Sequence, residues 1–152
     1  MRLLGIDVGT RRVGVALSDP TGVIAQSLTV LPRRSWEQVV GAVVTLIRVH
    51  RVERVVVGLP LRLDGGEGEA AANVRKFADR LRDAVEIPVV LEDERLSTAE
   101  AERVMLEADV DRSTRRARRD AVAAALILQR YLDRGQASTR TGGEETSGGD
   151  PA

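Results

Sequence analysis

A short apolar segment near the start of the chain, Leu3-Leu4-Gly5-Ile6-Asp7-Val8-Gly9-Thr10, contains a single carboxylate. The run is long enough for one buried strand, so Asp7 is expected near the carboxyl end of that strand and half inside the protein. A buried ionised carboxylate costs several kcal/mol unless something compensates its charge. Asp7 is therefore expected either to hold a divalent cation or to form an Asx turn with the backbone of Gly9.

Two further strands are predicted directly after Asp7. The turn Gly9–Arg12 leads into Val13–Ser18, and a Pro-Thr-Gly turn leads into Val23–Leu31. Turns this short join antiparallel neighbours.

Helices and strands then alternate along the chain. The uninterrupted apolar run Val55–Pro60 is typical of a parallel strand buried on both faces. The other predicted elements are a helix capped by Ser35 that runs to about His50, a helix with an apolar face from Val74 to Val85, a strand Ile87–Leu91, a helix capped by Ser97, and a last helix after Asp120.

This order predicts an α/β fold with a five-stranded mixed sheet, strand order 3-2-1-4-5, flanked by helices. A right-handed crossover carries the chain from the third strand to the fourth, which lies beside the first. Residues 1–134 are expected to form one domain. Residues 135–152, which lack apolar periodicity, are expected to form a disordered tail.

Three acidic positions are expected to meet at the carboxyl ends of strands one, four and five, where open α/β sheets place their sites. They are Asp7, the pair Asp93-Glu94 and Asp120. Adjacent strand residues face opposite ways, so only one of the pair is expected to bind a metal directly. The assigned ligands are Asp7, Glu94 and Asp120, although alternation alone does not decide between Glu94 and Asp93.

Carboxylate ligands indicate Mg²⁺ or Mn²⁺ rather than zinc, because the chain has no cysteine and one histidine. Two such ions ~4 Å apart would activate a water and stabilise the leaving oxygen of a phosphodiester. The alternative is that Asp93-Glu94 is a solvated loop and Asp120 an acid that favours the helix dipole.

Basic residues suggest an anionic partner, although the net charge is zero. Five arginines cluster just before Asp120, where their charges are unfavourable to the helix dipole and to one another. A bound phosphate backbone would relieve this repulsion, and the alternative is that the arginines are simply solvated. Trp36 is expected in the core, and with one Phe, one Trp and one Tyr the chain has little capacity for base stacking. The predicted nucleic-acid contacts are Arg12, Arg95, Arg112, Arg115, Arg116, Arg118 and Arg119.

Two further features are a glycine-rich loop that can be interpreted in two ways and a set of absences that bear on where the protein acts. The glycine-rich loop 61–68 fits either a mobile lid or a flexible connector. The absence of cysteine, of a signal-like start and of an apolar run of ~18 residues fits a cytoplasmic protein.

Several motifs together resemble the YqgF family, also called RuvX, which comprises RuvC-like proteins of the ribonuclease H superfamily. The motifs are Gly5-Ile6-Asp7-Val8-Gly9-Thr10 with Arg12-Val13-Gly14-Val15-Ala16, Val57-Gly58-Leu59-Pro60, Asp93-Glu94-Arg95-Leu96-Ser97-Thr98, Ala108-Asp109-Val110, and residues 120–129.

The resemblance implies a ribonuclease H-like fold and a divalent-metal nuclease with Asp7, the Asp93/Glu94 pair and Asp120 as its acidic site. It also implies cytoplasmic action on structured nucleic acid, with maturation of the 16S rRNA 5′ end as the expected role. Resolvases of this superfamily carry a fourth acid where this chain has Ala123 and Ala124. That difference disfavours resolution of four-way DNA junctions more than nuclease activity in general.

Two other classes are considered. One is a nucleic-acid-binding protein without turnover, whose acids are structural. The other is a sugar-kinase or actin-like ATPase, which needs two such domains and is disfavoured by the 152-residue length. A monomer and a homodimer are both compatible with the sequence.

Overall fold

The computed structural model describes residues 1–62, 64–94 and 121–135. Its elements are β1 Leu3–Val8, β2 Arg12–Ser18, β3 Ala25–Pro32, α1 Trp36–His50, β4 Arg54–Leu59, α2 Glu69–Ala84 and β5 Val89–Asp93. Residues 121–135 are helical and are called the C-terminal helix below.

The five strands form one sheet in the order β3-β2-β1-β4-β5. The pairs β1–β2 and β2–β3 are antiparallel, whereas β1–β4 and β4–β5 are parallel. The predicted mixed sheet and its strand order are therefore confirmed. The carboxyl ends of β1, β4 and β5 lie side by side.

Each face of the sheet has its own apolar core. Leu4, Ile6, Val55 and Val57 face the cluster that α1 and α2 cover, with Phe77 at its centre. The opposite face packs against the C-terminal helix; its buried residues are Leu3, Ala16, Val56, Ala124, Ile127, Leu128 and Leu132. Since strand residues alternate between faces, Gly5 and Asp7 lie on the C-terminal-helix face with Leu3.

Two strands differ from their predicted bounds. β3 begins at Ala25 rather than Val23, because the amides of Val23 and Ile24 both donate to Asp19 Oδ1, at 2.7 and 2.8 Å, in the preceding turn. β5 begins at Val89 rather than Ile87 and extends to Asp93, which pairs with Leu59. Pairing with the buried strand β4 thus places two acidic residues, which have low strand propensity, inside a strand.

The helix cap and the glycine-rich loop both have defined hydrogen bonds. The Gln38 amide donates to Ser35 Oγ at 3.2 Å, so Ser35 caps α1 as predicted. In the loop, a bridge joins Leu61 to Glu67, and the Arg62 amide donates to the Gly66 carbonyl at 2.8 Å. These bonds make the loop a small hairpin rather than an open connector.

Several predicted elements lie outside the described residues. They are the helix capped by Ser97, the arginine-rich segment before Asp120, and the tail apart from residue 135, which is the last helical residue that the structure describes. In the described ranges no helix combines the length and apolar character needed to cross a membrane.

A methyl group at Gly5 is expected to destabilise the fold by about 2 kcal/mol, because overpacking forces the C-terminal helix away from the sheet. A Cβ at Gly5 would lie 2.7 Å from Leu128 Cβ and 3.0 Å from the Ala124 carbonyl oxygen. Urea unfolding of Gly5→Ala measures this effect.

Gly41→Ala is the matched control, since a Cβ there meets no heavy atom within 4 Å. Helix propensity should make that variant more stable by up to about 1 kcal/mol. Changes of the same sign in the two variants would contradict the close approach at Gly5.

Candidate functional site

Asp7 lies one residue before the end of β1, on the C-terminal-helix face of the sheet, opposite Gly14 of β2. The Gly9 amide, which an Asx turn would direct to Asp7, donates to the Arg12 carbonyl oxygen at 2.8 Å. A Cβ at Gly9 would lie 2.7 Å from the same oxygen, so the tight turn requires glycine. A backbone hydrogen bond therefore closes the turn.

Glu94 follows β5 directly and is held there by its amide, which donates to the Leu59 carbonyl oxygen at 3.2 Å. Its side chain is buried with 7% exposure and lies across Gly58, where a Cβ would be only 2.6 Å from Glu94 Oε2. The side chain thereby spans β4 and reaches β1, where the Glu94 carboxyl hydrogen-bonds Asp7. Gly58 is the residue that leaves room for this crossing.

Burial, which is the largest cause, acts together with the Asp7 charge, the hydrogen bond with Asp7 and the Asp93 charge to raise the pKa of Glu94 from 4.5 to about 9. Ile127, which is fully buried, closes the site from the C-terminal helix. Two carboxyl groups in such an apolar site cannot both ionise without a compensating cation. With no cation bound, Glu94 therefore holds a proton at neutral pH.

One oxygen of this pair has no donor. Among the described residues, Glu94 Oε2 is buried and makes no hydrogen bond. Buried polar atoms are nearly always satisfied, and an orphan carboxylate oxygen beside a second carboxyl is a typical ligand for a hard divalent cation. The residues present therefore fit a divalent cation between Asp7 and Glu94.

Strand alternation separates the two acids that the sequence left undecided. Leu91 packs in the α1–α2 core, so Asp93, two residues further along β5, lies half-buried on that same face. Glu94 is on the other face with Asp7. The structure thus brings Asp7 and Glu94 together and directs Asp93 away from them.

Glu92 and Arg134 were missed by the sequence analysis. Glu92 is 1% exposed, and both its oxygens accept hydrogen bonds from Arg134, at 2.5 and 2.7 Å. Arg134 lies over the ring of Tyr131, whose hydroxyl accepts a hydrogen bond from Arg54 at 2.7 Å. This network ties the end of the C-terminal helix to β4 and β5. Its only sequence signal is Glu92, an acid that directly follows the apolar part of β5 and lies two residues before Glu94.

The remaining predicted site residues are mostly beyond the described ranges. Arg12 begins β2 and is half-buried. Within the described ranges no three acidic or histidine side chains are grouped to hold a metal. The predicted residues outside those ranges are Arg95, Arg112, Arg115, Arg116, Arg118, Arg119 and Asp120.

The fold is the one that RuvC structures have. The structure of Thermus thermophilus RuvC in complex with a Holliday junction substrate aligns with a TM-score of 0.57 and 19% identity, covering 89% of this chain and 96% of that chain. At this identity the similarity establishes the fold alone.

The chain belongs to the RuvX family, described as Holliday junction resolvase, whose profile matches residues 1–134. A relative from Moorella thermoacetica is 51% identical over 134 residues, which cover 88% of this chain and 96% of the relative. One from Syntrophus aciditrophicus is 49% identical over 133 residues, covering 88% and 89%. Both carry the name "Putative pre-16S rRNA nuclease". The resemblance to the YqgF/RuvX family is thus confirmed.

In metal-free protein, the free energy of unfolding is expected to fall as pH rises from 5 to 9, by roughly 1 kcal/mol per pH unit from Glu94. The folded-state pKa of Glu94 is raised from 4.5 to about 9, so the folded state keeps a proton that the unfolded state loses. This stabilisation is complete below pH 4.5 and is lost as pH rises through 9. Urea titrations in chelator across this range measure it.

Glu94→Gln should flatten this pH dependence, whereas Asp83→Asn, an exposed acid on α2, should leave it unchanged. Equal slopes in wild-type protein and Glu94→Gln would show that Glu94 is not protonated in the folded state.

Arg134→Met is expected to cost about 2 kcal/mol of stability, because it leaves the buried Glu92 carboxylate without its donors. Arg75→Met removes an exposed pair with Glu67, at 2.6 Å, and should cost less than about 1 kcal/mol. Urea unfolding at pH 7 compares the two. Equal losses would mean that burial of Glu92 adds nothing to the pair.

Proposed function

We propose that this chain is a divalent-metal-dependent nuclease that hydrolyses phosphodiester bonds of structured nucleic acid and processes the 5′ end of pre-16S rRNA. The observation that carries the proposal is the buried contact between Asp7 and Glu94, with one carboxylate oxygen lacking a donor. Such a pair is unfavourable for folding alone, and a bound cation makes it favourable.

Asp7 and Glu94 would hold the cation, and Asp120 is proposed as the third acid from the family resemblance. The C-terminal helix, which begins in the described chain at residue 121, covers the same face of the sheet as Asp7. Oxygen ligands favour Mg²⁺ or Mn²⁺, and two ions are proposed because two can act on both the attacking water and the leaving oxygen of a phosphodiester. When bound, such ions would lower the pKa of a water and neutralise charge on the phosphodiester.

The residues of this chain prepare the site for that ion. Glu94 must release its proton before it can bind a cation, so we expect the affinity for the cation to rise with pH. Gly58 and Ile127 keep the carboxyls apart from bulk water, which strengthens their attraction to a cation. Arg12 and the arginines before Asp120 are proposed to hold the phosphate backbone.

RNA is the favoured substrate because relatives about half identical to this chain are named for pre-16S rRNA. The proposed reaction belongs to the cytoplasm, where ribosomal precursors of bacteria are processed. A monomer or a homodimer could carry it out.

Four-way DNA junctions are the second candidate, because the family is described as Holliday junction resolvase. Ala123 and Ala124, where related resolvases are expected to carry a further acid, are buried against the sheet with 3% and 0% exposure. An acid there would have to displace the helix packing, which favours the RNA substrate.

Asp7→Asn and Glu94→Gln are each expected to reduce cleavage about 10³-fold, since each removes a ligand of an ion that provides several kcal/mol of transition-state stabilisation. The assay uses a labelled pre-16S 5′-end RNA and a four-way DNA junction, with Mg²⁺, Mn²⁺ or chelator. Asp83→Asn should cleave like wild-type protein. Chelator should abolish cleavage.

A binding measurement distinguishes variants that lose catalysis from variants that lose structure. Both site variants should bind the RNA in chelator as tightly as wild-type protein. Cleavage by Asp7→Asn at the wild-type rate would reject the proposed acidic site. Binding of both substrates without any turnover by wild-type protein would reject the proposed function in favour of a non-catalytic binding protein.

A further inference from the structure

Three arginines outside the predicted nucleic-acid contacts lie in two neighbouring segments past the carboxyl end of β1, the strand that carries Asp7. Arg11 is in the turn between β1 and β2, and Arg33 and Arg34 join β3 to α1. The Arg33 amide donates to the Arg11 carbonyl oxygen at 3.0 Å, so the two segments are neighbours at the carboxyl end of β1. Arg11, Arg33 and Arg34 are called the turn arginines below.

Arg33 is fixed in place. Its Nη1 donates to the Gly9 carbonyl oxygen at 2.8 Å, and its guanidinium lies 4.3 Å from the centroid of the Trp36 ring. Trp36 is in turn held by Phe77, with ring centroids 5.9 Å apart. A guanidinium held in this way loses little conformational freedom when it binds a ligand, because its rotamer is already set.

The turn arginines have no acidic partner among the described residues. None of them forms an ion pair within 4.0 Å with another residue of the described ranges, and Arg11 and Arg34 are exposed. The chain has as many acids as bases, so acidic partners for these positions were available. Three neighbouring cations without a carboxylate repel one another, and an anion bound across them would relieve that repulsion.

We infer that the turn arginines bind the phosphate backbone of the substrate next to the bond that is cleaved. The inference rests on the proposed function for its substrate. Arg11 is four residues beyond Asp7 and is separated from it by the tight turn at Gly9. A backbone whose scissile phosphate lies at Asp7 and Glu94 would therefore pass the turn arginines within a few nucleotides.

The chemistry favours phosphate over a protein carboxylate surface. Arginine forks bind phosphate oxygens in pairs, and one fixed and two exposed arginines in neighbouring segments suit a regularly charged backbone. The contact is to backbone, so it positions the substrate without reading its sequence.

Equilibrium binding in chelator tests this inference without requiring cleavage. Anisotropy is measured with a labelled RNA hairpin that carries the pre-16S 5′ segment and with a labelled four-way DNA junction, from 50 to 300 mM salt. The test variant is Arg11→Gln/Arg34→Gln, which alters exposed side chains only. The matched control is Arg48→Gln/Arg80→Gln, two exposed arginines near the other ends of α1 and α2.

The test variant should bind about tenfold more weakly near 150 mM salt, and its plot of log K against log salt should be shallower by roughly 1.4 to 1.8. The control should change affinity by less than about twofold. Arg33→Gln should weaken binding further, but because Arg33 also supports the turn, the exposed double variant is the deciding measurement.

If the test variant binds the RNA, the junction or both more weakly than wild-type protein does, the result supports the inference and identifies the backbone that is bound. Test and control variants that bind alike, or a wild-type protein that binds neither probe, would overturn it. The result is independent of the cleavage assay: loss of binding in the test variant stands even if Asp7→Asn retains full cleavage and the proposed function fails.

Discussion

The hydrogen bond between Glu94 and Asp7 joins two strands that do not pair with each other. Neighbouring strands are about 4.8 Å apart, so β1 and β5, with β4 between them, are separated by roughly 10 Å. Of the two acidic side chains only glutamate is long enough to span much of that gap, and only a glycine at position 58 leaves space beneath it. The shorter Asp7, on the central strand, needs no such reach. The strand order, Gly58 and the different lengths of Glu94 and Asp7 are therefore all required for this one hydrogen bond.

Burial of this acid pair disfavours folding, so other contacts must stabilise the fold that brings the two acids together. The C-terminal helix lies close enough to β1 that Gly5 meets Leu128 and Ala124 directly. Arg134 binds the buried Glu92 two residues before Glu94. These contacts fix the helix against both strands that supply the acids, and the helix in turn excludes water from them through Ile127.

Charge of opposite sign is arranged around the same edge of the sheet at different depths. The acids are inside, where a low dielectric makes their repulsion strong and their demand for a cation high. The turn arginines are outside, with Arg33 supported by Trp36. The tryptophan therefore acts from the apolar core as a platform for a cation. This arrangement suits a ligand that is itself a chain of anions and that bridges the inner and outer charges.

The sequence alone determined the sheet order, since short turns impose antiparallel pairs and the right-handed crossover leaves one place for the fourth strand. It also determined that Asp7 and the Asp93-Glu94 pair would lie at the same edge of the sheet. It did not determine which acid of the pair meets Asp7, because alternation gives two faces but does not say which face a strand end presents. The register of β5 against β4, and the space that Gly58 leaves for a side chain, decided that for Glu94. The role of Glu92 likewise depended on tertiary structure: its partner Arg134 is 42 residues away, and no local pattern encodes a contact at that separation.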